Sequence, residues 1–478
     1  MEKLIGRERE MNELELALGS NKSEFVTLYG RRRVGKTFLV RYFFSDCYSF
    51  HYVGAHKKSK AVQLRNFKEA LGRYFPGDTI PEIHCWHDAF LALESFLEKC
   101  GDSRKIIFFD EMPWMDSHGS DFVSELEFFW ANWVQNRDDI VFIACGSATN
   151  WMKEKIEDDQ GGLHNRVTRR IYLRPFYLNE CRDYLNAHGF DWDNYQILQC
   201  YMIFGGIPYY LSLLRPDLSL PQNVDNLIFR RGADLSDEFG ELYNALFNKA
   251  DRYIAIVKFL SGKREGFIRS EIEDATGYTG GGLTKMLDNL ERCDFIVRYS
   301  QFSNKSKFTL YRLCDFYTIF YYKFVQGNNS KDDNYWLHHF TDRSVQSWQG
   351  FSFEQLCLRH LGQIKNGLGI SGVATESSAW RYVAKKGEEK RGAQIDLVIK
   401  RADKMIHLVE MKFAESRYTI TKDYAAQLQE RRMTFMEEEG IQQTPVFTFV
   451  TPYGLINGIN SGIVHSEITC NHLFTPGI

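Results

Sequence analysis

Gly30-Arg-Arg-Arg-Val-Gly-Lys-Thr37 has the spacing G-x-x-x-x-G-K-T of a loop that wraps phosphates. The amides of Gly30, Arg31, Arg32, Arg33, Val34 and Gly35, continuing through Lys36, Thr37 and Phe38, offer aligned N–H donors. Lys36 is placed for the β- and γ-phosphates of ATP and the Thr37 hydroxyl for Mg²⁺. A second feature is Asp110-Glu111, at the end of the apolar run from Lys105. Beside a phosphate loop, Asp110 suits the hydration shell of Mg²⁺, and Glu111 suits the orientation and deprotonation of an attacking water. A third is Asp396 with Glu410 and Lys412. Two carboxylates can hold Mg²⁺ or Mn²⁺, which would polarise a phosphodiester and acidify a bound water. Lys412 would orient that water or stabilise the developing phosphorane charge.

Each group needs elements to position it. Phe25 to Tyr29 reads as a buried strand ahead of the loop, and Phe38 to Phe44 as a helix behind it. Further strands are expected at 48–53, 105–111, 140–145 and 171–176, with helices at about 60–75 and 86–99. Residues 177–235 are mostly helical and read as a lid. In the C-terminal part, Gln394–Lys400, a turn at 401–404 and Met405–Phe413 form a hairpin. Counting from the turn sets Asp396 opposite Glu410 or one residue off. Alternation puts Glu410 and Lys412 on one face. A helix from Phe351 to Leu361 carries Glu354, and short strands are expected at 380–384 and 445–451. Lys422 and Gln427, on a helix, suit either a backbone phosphate or an exposed face.

Residues 241–325 have the rhythm of a winged helix: a long helix at 241–262, a short one at 268–276, a turn at Thr279-Gly-Gly-Gly282, and a third helix at 283–293 with Leu283, Met286, Leu287 and Leu290 on one face. Wing strands follow at 295–299 and 308–312. The third helix sets Lys285 and Arg292 against Asp288 and Glu291, so DNA reading and a structural role both stay open. The aromatic run 315–325 reads as core rather than a base-stacking surface. The polar stretch from Gln326 to Asn334 reads as a linker extending to 349.

The 478 residues suggest several domains. Hydrophobic content of 44% and charged content of 25% suit ordinary folded cores. With a net charge of −3, any nucleic-acid surface must be local. Ten scattered cysteines without a C-x-x-C pair point to reduced thiols and a cytoplasmic setting. The apolar signal stretch and the long apolar run of a membrane span are missing, so no membrane association is expected.

These residues together resemble the bacterial and archaeal AAA+/STAND-like P-loop ATPases that carry a winged helix and a C-terminal PD-(D/E)XK restriction-endonuclease-like domain. The resemblance rests on Gly30–Thr37, Asp110-Glu111, the opening Ile5-Gly-Arg-Glu-Arg-Glu10, Gly205-Gly-Ile-Pro208 and the Asp396, Glu410, Lys412 set. It implies a multidomain α/β chain: an ATPase core at 1–176, a helical lid at 177–235, a winged helix at 236–325, a linker at 326–349 and a nuclease-like domain at 350–478. It also implies that Ser147 senses the γ-phosphate, that Pro208 packs on adenine, and that Glu354 joins the metal-binding acids. Arg166 would neutralise γ-phosphate charge in cis or from a neighbouring subunit of a homo-oligomer, or else belong to a solvated basic turn. The implied function is a prokaryotic ATPase that couples ATP-Mg²⁺ to DNA cleavage, in defence or in a mobile element. The alternative is a nucleotide switch or DNA-binding regulator whose C-terminal domain only docks.

Overall fold

The computed structural model describes residues 3–101, 103–157, 163, 165–247, 249–299, 302, 309–382 and 392–477. Positions 308, 383 and 384 of the expected strands, Met1-Glu2, and Asn248 lie outside them. The chain divides into two compact units, Met1–Pro175 and Phe176–Ile478. Among the described residues, no helix is long and apolar enough to cross a membrane.

The first unit contains α1 (Glu8–Leu18), β1 (Glu24–Tyr29), α2 (Lys36–Phe44), β2 (Phe50–Val53), α3 (Lys60–Tyr74), α4 (Trp86–Lys99), β3 (Lys105–Asp110), α5 (Phe122–Asn132), β4 (Ile140–Gly146), α6 (Thr149–Met152) and β5 (Arg169–Tyr172). The strands form one parallel sheet in the order β2-β3-β4-β1-β5. Every residue of β1, β3 and β4 is buried, as their continuous apolar runs require of central parallel strands. Phe67, Trp86, Phe90, Phe109, Phe122 and Phe142 form a ring-on-ring core on one side of the sheet. This order sets the C-terminal ends of β1 and β3 on either side of β4, the edge where a doubly wound sheet binds ligands.

The second unit begins with α7 (Leu178–Ala187), α8 (Asn194–Phe204), α9 (Pro208–Ser212) and α10 (Leu220–Val224). Gly205 and Gly206 separate α8 from α9, with φ of 68° and 67°. A Cβ on Gly206 would meet the Phe176 carbonyl oxygen at 2.5 Å. Pro208 starts α9 at its first position, where the missing N–H costs nothing.

Next come α11 (Glu238–Leu246), α12 (Ala250–Leu260), β6 (Phe267–Ile268), α13 (Arg269–Thr276), α14 (Gly280–Arg292), β7 (Ile296–Tyr299), β8 (Leu310–Leu313) and α15 (Phe316–Phe320). The helix expected at 241–262 is two helices. Phe247 is extended and Lys249 sits at φ 62°, which ends one helix and caps the other. The three short strands pair antiparallel in the order β6-β8-β7. On α14, Leu283, Met286, Leu287 and Leu290 are buried together, as their spacing requires. Phe316, Tyr317, Phe320 and Phe324 are buried, so the aromatic run is core.

The expected linker at 326–349 is an open turn only in its first part. α16 (Tyr335–His339) and α17 (Arg343–Arg359) follow, with Trp336 3% and Trp348 4% exposed. Asp225 in the lid accepts the amides of Trp336 at 2.7 Å and Leu337 at 2.9 Å. That bond and the two buried indoles tie this segment to the helices before it. The remainder is α18 (Leu361–Gly367), β9 (Thr375–Tyr382), β10 (Ala393–Arg401), β11 (Ile406–Met411), α19 (Lys422–Glu439), β12 (Val446–Val450) and β13 (Val464–Ile468). The sheet order is β13-β12-β11-β10-β9, antiparallel among β9, β10 and β11 and parallel from β11 to β13. α19 makes the crossover from β11 to β12, burying Leu428 and Phe435 against the sheet.

Candidate functional sites

In the first unit the phosphate loop joins β1 to α2. Gly30 has φ 151°, and a Cβ there would lie 2.2 Å from the Leu173 carbonyl oxygen. Gly35 at φ 93° lets the chain turn directly into α2, whose first residue is Lys36. The Lys36 ammonium is buried and donates to the carbonyls of Gly30 and Arg31, both at 3.0 Å. Those two oxygens hold the charge at the place where phosphate oxygens would compete for it. Arg7, in the opening motif, donates to the Val34 carbonyl at 3.3 Å and so braces the loop from outside. The sequence motif suggested that segment, but not this contact.

The sheet delivers the acids to the same edge. The Thr37 hydroxyl donates to Asp110 Oδ2 at 2.7 Å, so two oxygen donors of the kind Mg²⁺ prefers stand side by side. These residues fit the ion, and bound there it would neutralise phosphate charge. Glu111 follows at φ 47°, turned out of the strand. Its Oε1 accepts the Ser147 hydroxyl at 2.6 Å and its Oε2 the Ser147 amide at 3.4 Å. The end of β4 lies close against the 3₁₀ turn after β3: a Cβ on Gly146 would meet Pro113 Cδ at 2.7 Å. Ser147 therefore contacts Glu111 directly.

Arg166 lies elsewhere. β5 is parallel to β1 with Arg169 opposite Val26, and the Thr168 amide donates to the Phe25 carbonyl at 2.9 Å. Residues ahead of β5 thus stand at the start of β1, whereas the phosphate loop follows its end. Five strand residues, roughly 16 Å, separate the two levels. Arg169 pairs with Glu13 at 3.0 Å and Arg170 with Glu157 at 3.7 Å.

In the second unit the hairpin register pairs Leu397 with Val409, the strand neighbours of Asp396 and Glu410. Glu410 is 1% exposed. Its Oε2 accepts the Tyr424 hydroxyl at 2.9 Å and lies 3.7 Å from Lys412 Nζ, while its Oε1 takes Arg431. Tyr424 and Arg431 sit with Leu428 and Phe435 along one face of α19; Lys422 and Gln427 are exposed. The i, i+4, i+7 spacing from Tyr424 is the signal that would have singled out Arg431.

Burial, and then the charges of Glu354 and Glu410, push the Asp396 carboxyl up to about 7, against the pull of Lys412 and Arg312. Glu354 is raised as well, chiefly by burial. Its carboxylate is held by Arg264 at 3.2 Å, with Arg312 at 3.9 Å. Among the described residues, no three His, Cys, Asp or Glu side chains converge on a metal position. The charge of the expected third acid, Glu354, is felt at Asp396 ahead of that of Glu410. Glu354 is engaged by arginines.

The Asp396 shift has a definite sign. Between the ordinary carboxylate range and pH 7, the folded chain keeps a proton that the unfolded chain has released. Stability therefore falls as pH rises from about 4 to 7 and levels off above that. Thermal melts across this range should show the decline, and Asp396→Asn should flatten it. An unchanged slope in the variant would place the titration elsewhere.

Two aromatic contacts link α8 to this hairpin. Tyr195 on α8 stacks on Phe413 with ring centroids 4.7 Å apart, and Phe413 lies 5.3 Å from Phe353. Phe413 follows Lys412 in the chain, and Phe353 precedes Glu354.

Residues 4–214 match the family model of an ATPase domain predominantly from Archaea. An uncharacterized protein of Methanocaldococcus jannaschii is 24% identical over 415 residues, 86% of this chain and 88% of the relative. An uncharacterized ATP-binding protein of the same organism is 43% identical over 42 residues, 9% of this chain and 71% of the relative. The solved Walker-type ATPase of Pyrococcus abyssi is 18% identical, spans 67% of this chain and 96% of its own, and superposes with a TM-score of 0.48.

Proposed function

We propose that this chain, whose residues 4–214 are an ATPase domain of that predominantly archaeal family, couples its ATP state to metal-dependent DNA cleavage by its C-terminal domain. The ATPase part is supported by the family match and by one observation above others: the Thr37–Asp110 bond next to Glu111. Lys36 and the loop amides bind the phosphates. Thr37 and Asp110 would hold Mg²⁺, which would supply charge neutralisation. Glu111 takes the proton of the attacking water, and Ser147 fixes which way its carboxylate points. Pro208 is assigned to the adenine. Arg166, removed from its own phosphate loop, is assigned to the loop of a neighbouring subunit.

For the second unit, the reading is a PD-(D/E)XK-like domain behind a winged helix. It rests on the β10–β11 hairpin that carries Asp396 and Glu410, with Lys412 on the Glu410 face and α19 crossing between parallel strands. Burial raises Asp396 most, and the repulsion of Glu354 and Glu410 that adds to it is what a divalent cation would relieve. If Mg²⁺ or Mn²⁺ binds there, it would supply Lewis acidity, with Lys412 near the reacting phosphate. Coupling runs from the lid through Tyr195 and Phe413 rather than through the winged helix alone. A cytoplasmic role in defence or in a mobile element suits this layout.

A second reading has one observation in its favour. Arg431 and Tyr424 already satisfy Glu410, as they would in a domain that docks without cutting. In that case the protein is an ATP switch or DNA-binding regulator. Tyr195→Ala tests the coupling. The lost stack is worth about 1 kcal/mol, several-fold in the nucleotide effect. Any change that ATP makes in cleavage should shrink by that factor, while ATP turnover stays within about twofold. An undiminished ATP effect would remove the aromatic route.

A further inference from the structure

We propose that a cavity of about 260 Å³ in the second unit is a binding site for a small organic phosphate that carries a planar ring. The cavity lies between the end of α12, β8, the turn after α15 and the middle of α17. All of its lining residues belong to Phe176–Ile478.

Four cations line it: Lys263, Arg264, Arg312 and Lys323. Only two carboxylates answer them. Glu271 meets Lys263 at 3.3 Å, and Glu354 is shared between Arg264 at 3.2 Å and Arg312 at 3.9 Å. Lys323 has no ion-pair partner among the described residues. Arg312 is 7% exposed, and its buried guanidinium faces the Gln355 amide oxygen and, at 3.9 Å, the Glu354 carboxylate it shares with Arg264. A phosphate group, with several acceptor oxygens, suits two planar guanidinium forks.

The walls add a second requirement. Phe351 has the Arg264 and Arg312 guanidinium carbons 5.3 and 5.2 Å from its ring centre. Tyr322 and Trp348 supply further rings. Trp348 is 4% exposed, and its indole N–H has no hydrogen-bond partner. A buried donor left unmet beside an excess of positive charge points to an acceptor that belongs there. Aromatic walls favour a planar ring. The volume is small for a ligand pocket, so the occupant is of mononucleotide size rather than a polymer. Its phosphate would compete with Glu354 for Arg264 and Arg312.

The test is calorimetric titration of the full chain, held in saturating Mg²⁺-ADP to fill the phosphate loop, with AMP, ribose 5-phosphate or inorganic phosphate. AMP should bind at least about tenfold tighter than either comparator. Lys323→Ala and Arg264→Gln should each weaken AMP by about tenfold, with ADP affinity unchanged. Lys323 is exposed, so that variant stays informative even if Arg264→Gln fails to fold. Absence of AMP heat in the ADP-saturated chain would overturn the proposal, as would equal binding of inorganic phosphate or ribose 5-phosphate. Undiminished AMP affinity in Lys323→Ala would do the same.

Discussion

Glu111→Gln should bind ATP as the parent chain does and hydrolyse it between about 10² and 10⁴ times more slowly. Glutamine keeps the size of the side chain and an oxygen for the Ser147 hydroxyl, which lies 2.6 Å from Glu111 Oε1. It lacks the basicity to take a proton from water. Phosphate release under saturating ATP measures the rate, and equilibrium binding of a fluorescent ATP analogue measures the affinity. A turnover close to that of the parent would mean that another group is the base. The contrast with Lys36 is informative. That ammonium is buried in the loop and meets the phosphates directly, so its loss should lower affinity and turnover together.

Lys412→Ala is expected to lower DNA cleavage by about 10²- to 10³-fold while leaving the fold intact. Its amine is 3.7 Å from Glu410, is about a third exposed, and is not that carboxylate's only cation. Arg431→Ala should behave differently. Glu410 is 1% exposed and Arg431 is its closest charge partner, so the variant leaves a buried carboxylate under-compensated. Removing one partner of such a pair costs about 3 kcal/mol or more, which a melting curve will show. Cleavage kinetics and melts on both variants therefore separate a group needed for chemistry from one needed for folding. Cleavage by Lys412→Ala at the parent's rate would contradict its role.

The phosphate loop, Asp110 and Glu111 were legible because their chemistry is local in sequence. A strand, a glycine turn and a helix start lie within 14 residues, Glu24 to Thr37. The hairpin of β10 and β11 was also readable, since a short turn fixes the pairing of its arms. What escaped was non-local. Ser147 meets Glu111 only because β3 and β4 are neighbours in the sheet. Arg431 meets Glu410 only because α19 crosses back over the hairpin. The level of β5 beside β1 is set by strand direction, which residue types do not carry.

The linker was overextended for a related reason. The Gly-Asn-Asn-Ser-Lys-Asp-Asp run does make a turn, but Trp336 and Trp348 beyond it bury themselves against helices more than a hundred residues earlier or next to α15. α8 also lies closer to the hairpin than chain order suggests, through Tyr195 and Phe413. The winged-helix stretch gave its buried face correctly. Its charges are less free than they look, because Arg298 on β7 engages both Asp288, at 3.1 Å, and Glu291.

The central claim is that ATP state and DNA cleavage belong to one mechanism. The most direct measurement incubates the purified full chain with supercoiled plasmid and with single-stranded DNA in Mg²⁺ or Mn²⁺, with and without ATP, alongside Lys36→Ala and Lys412→Ala. The account predicts cutting that changes with ATP, loses that response in Lys36→Ala and disappears in Lys412→Ala. Steady ATP hydrolysis with both DNAs left intact under every condition would contradict it, and would leave an ATP switch with a docking domain.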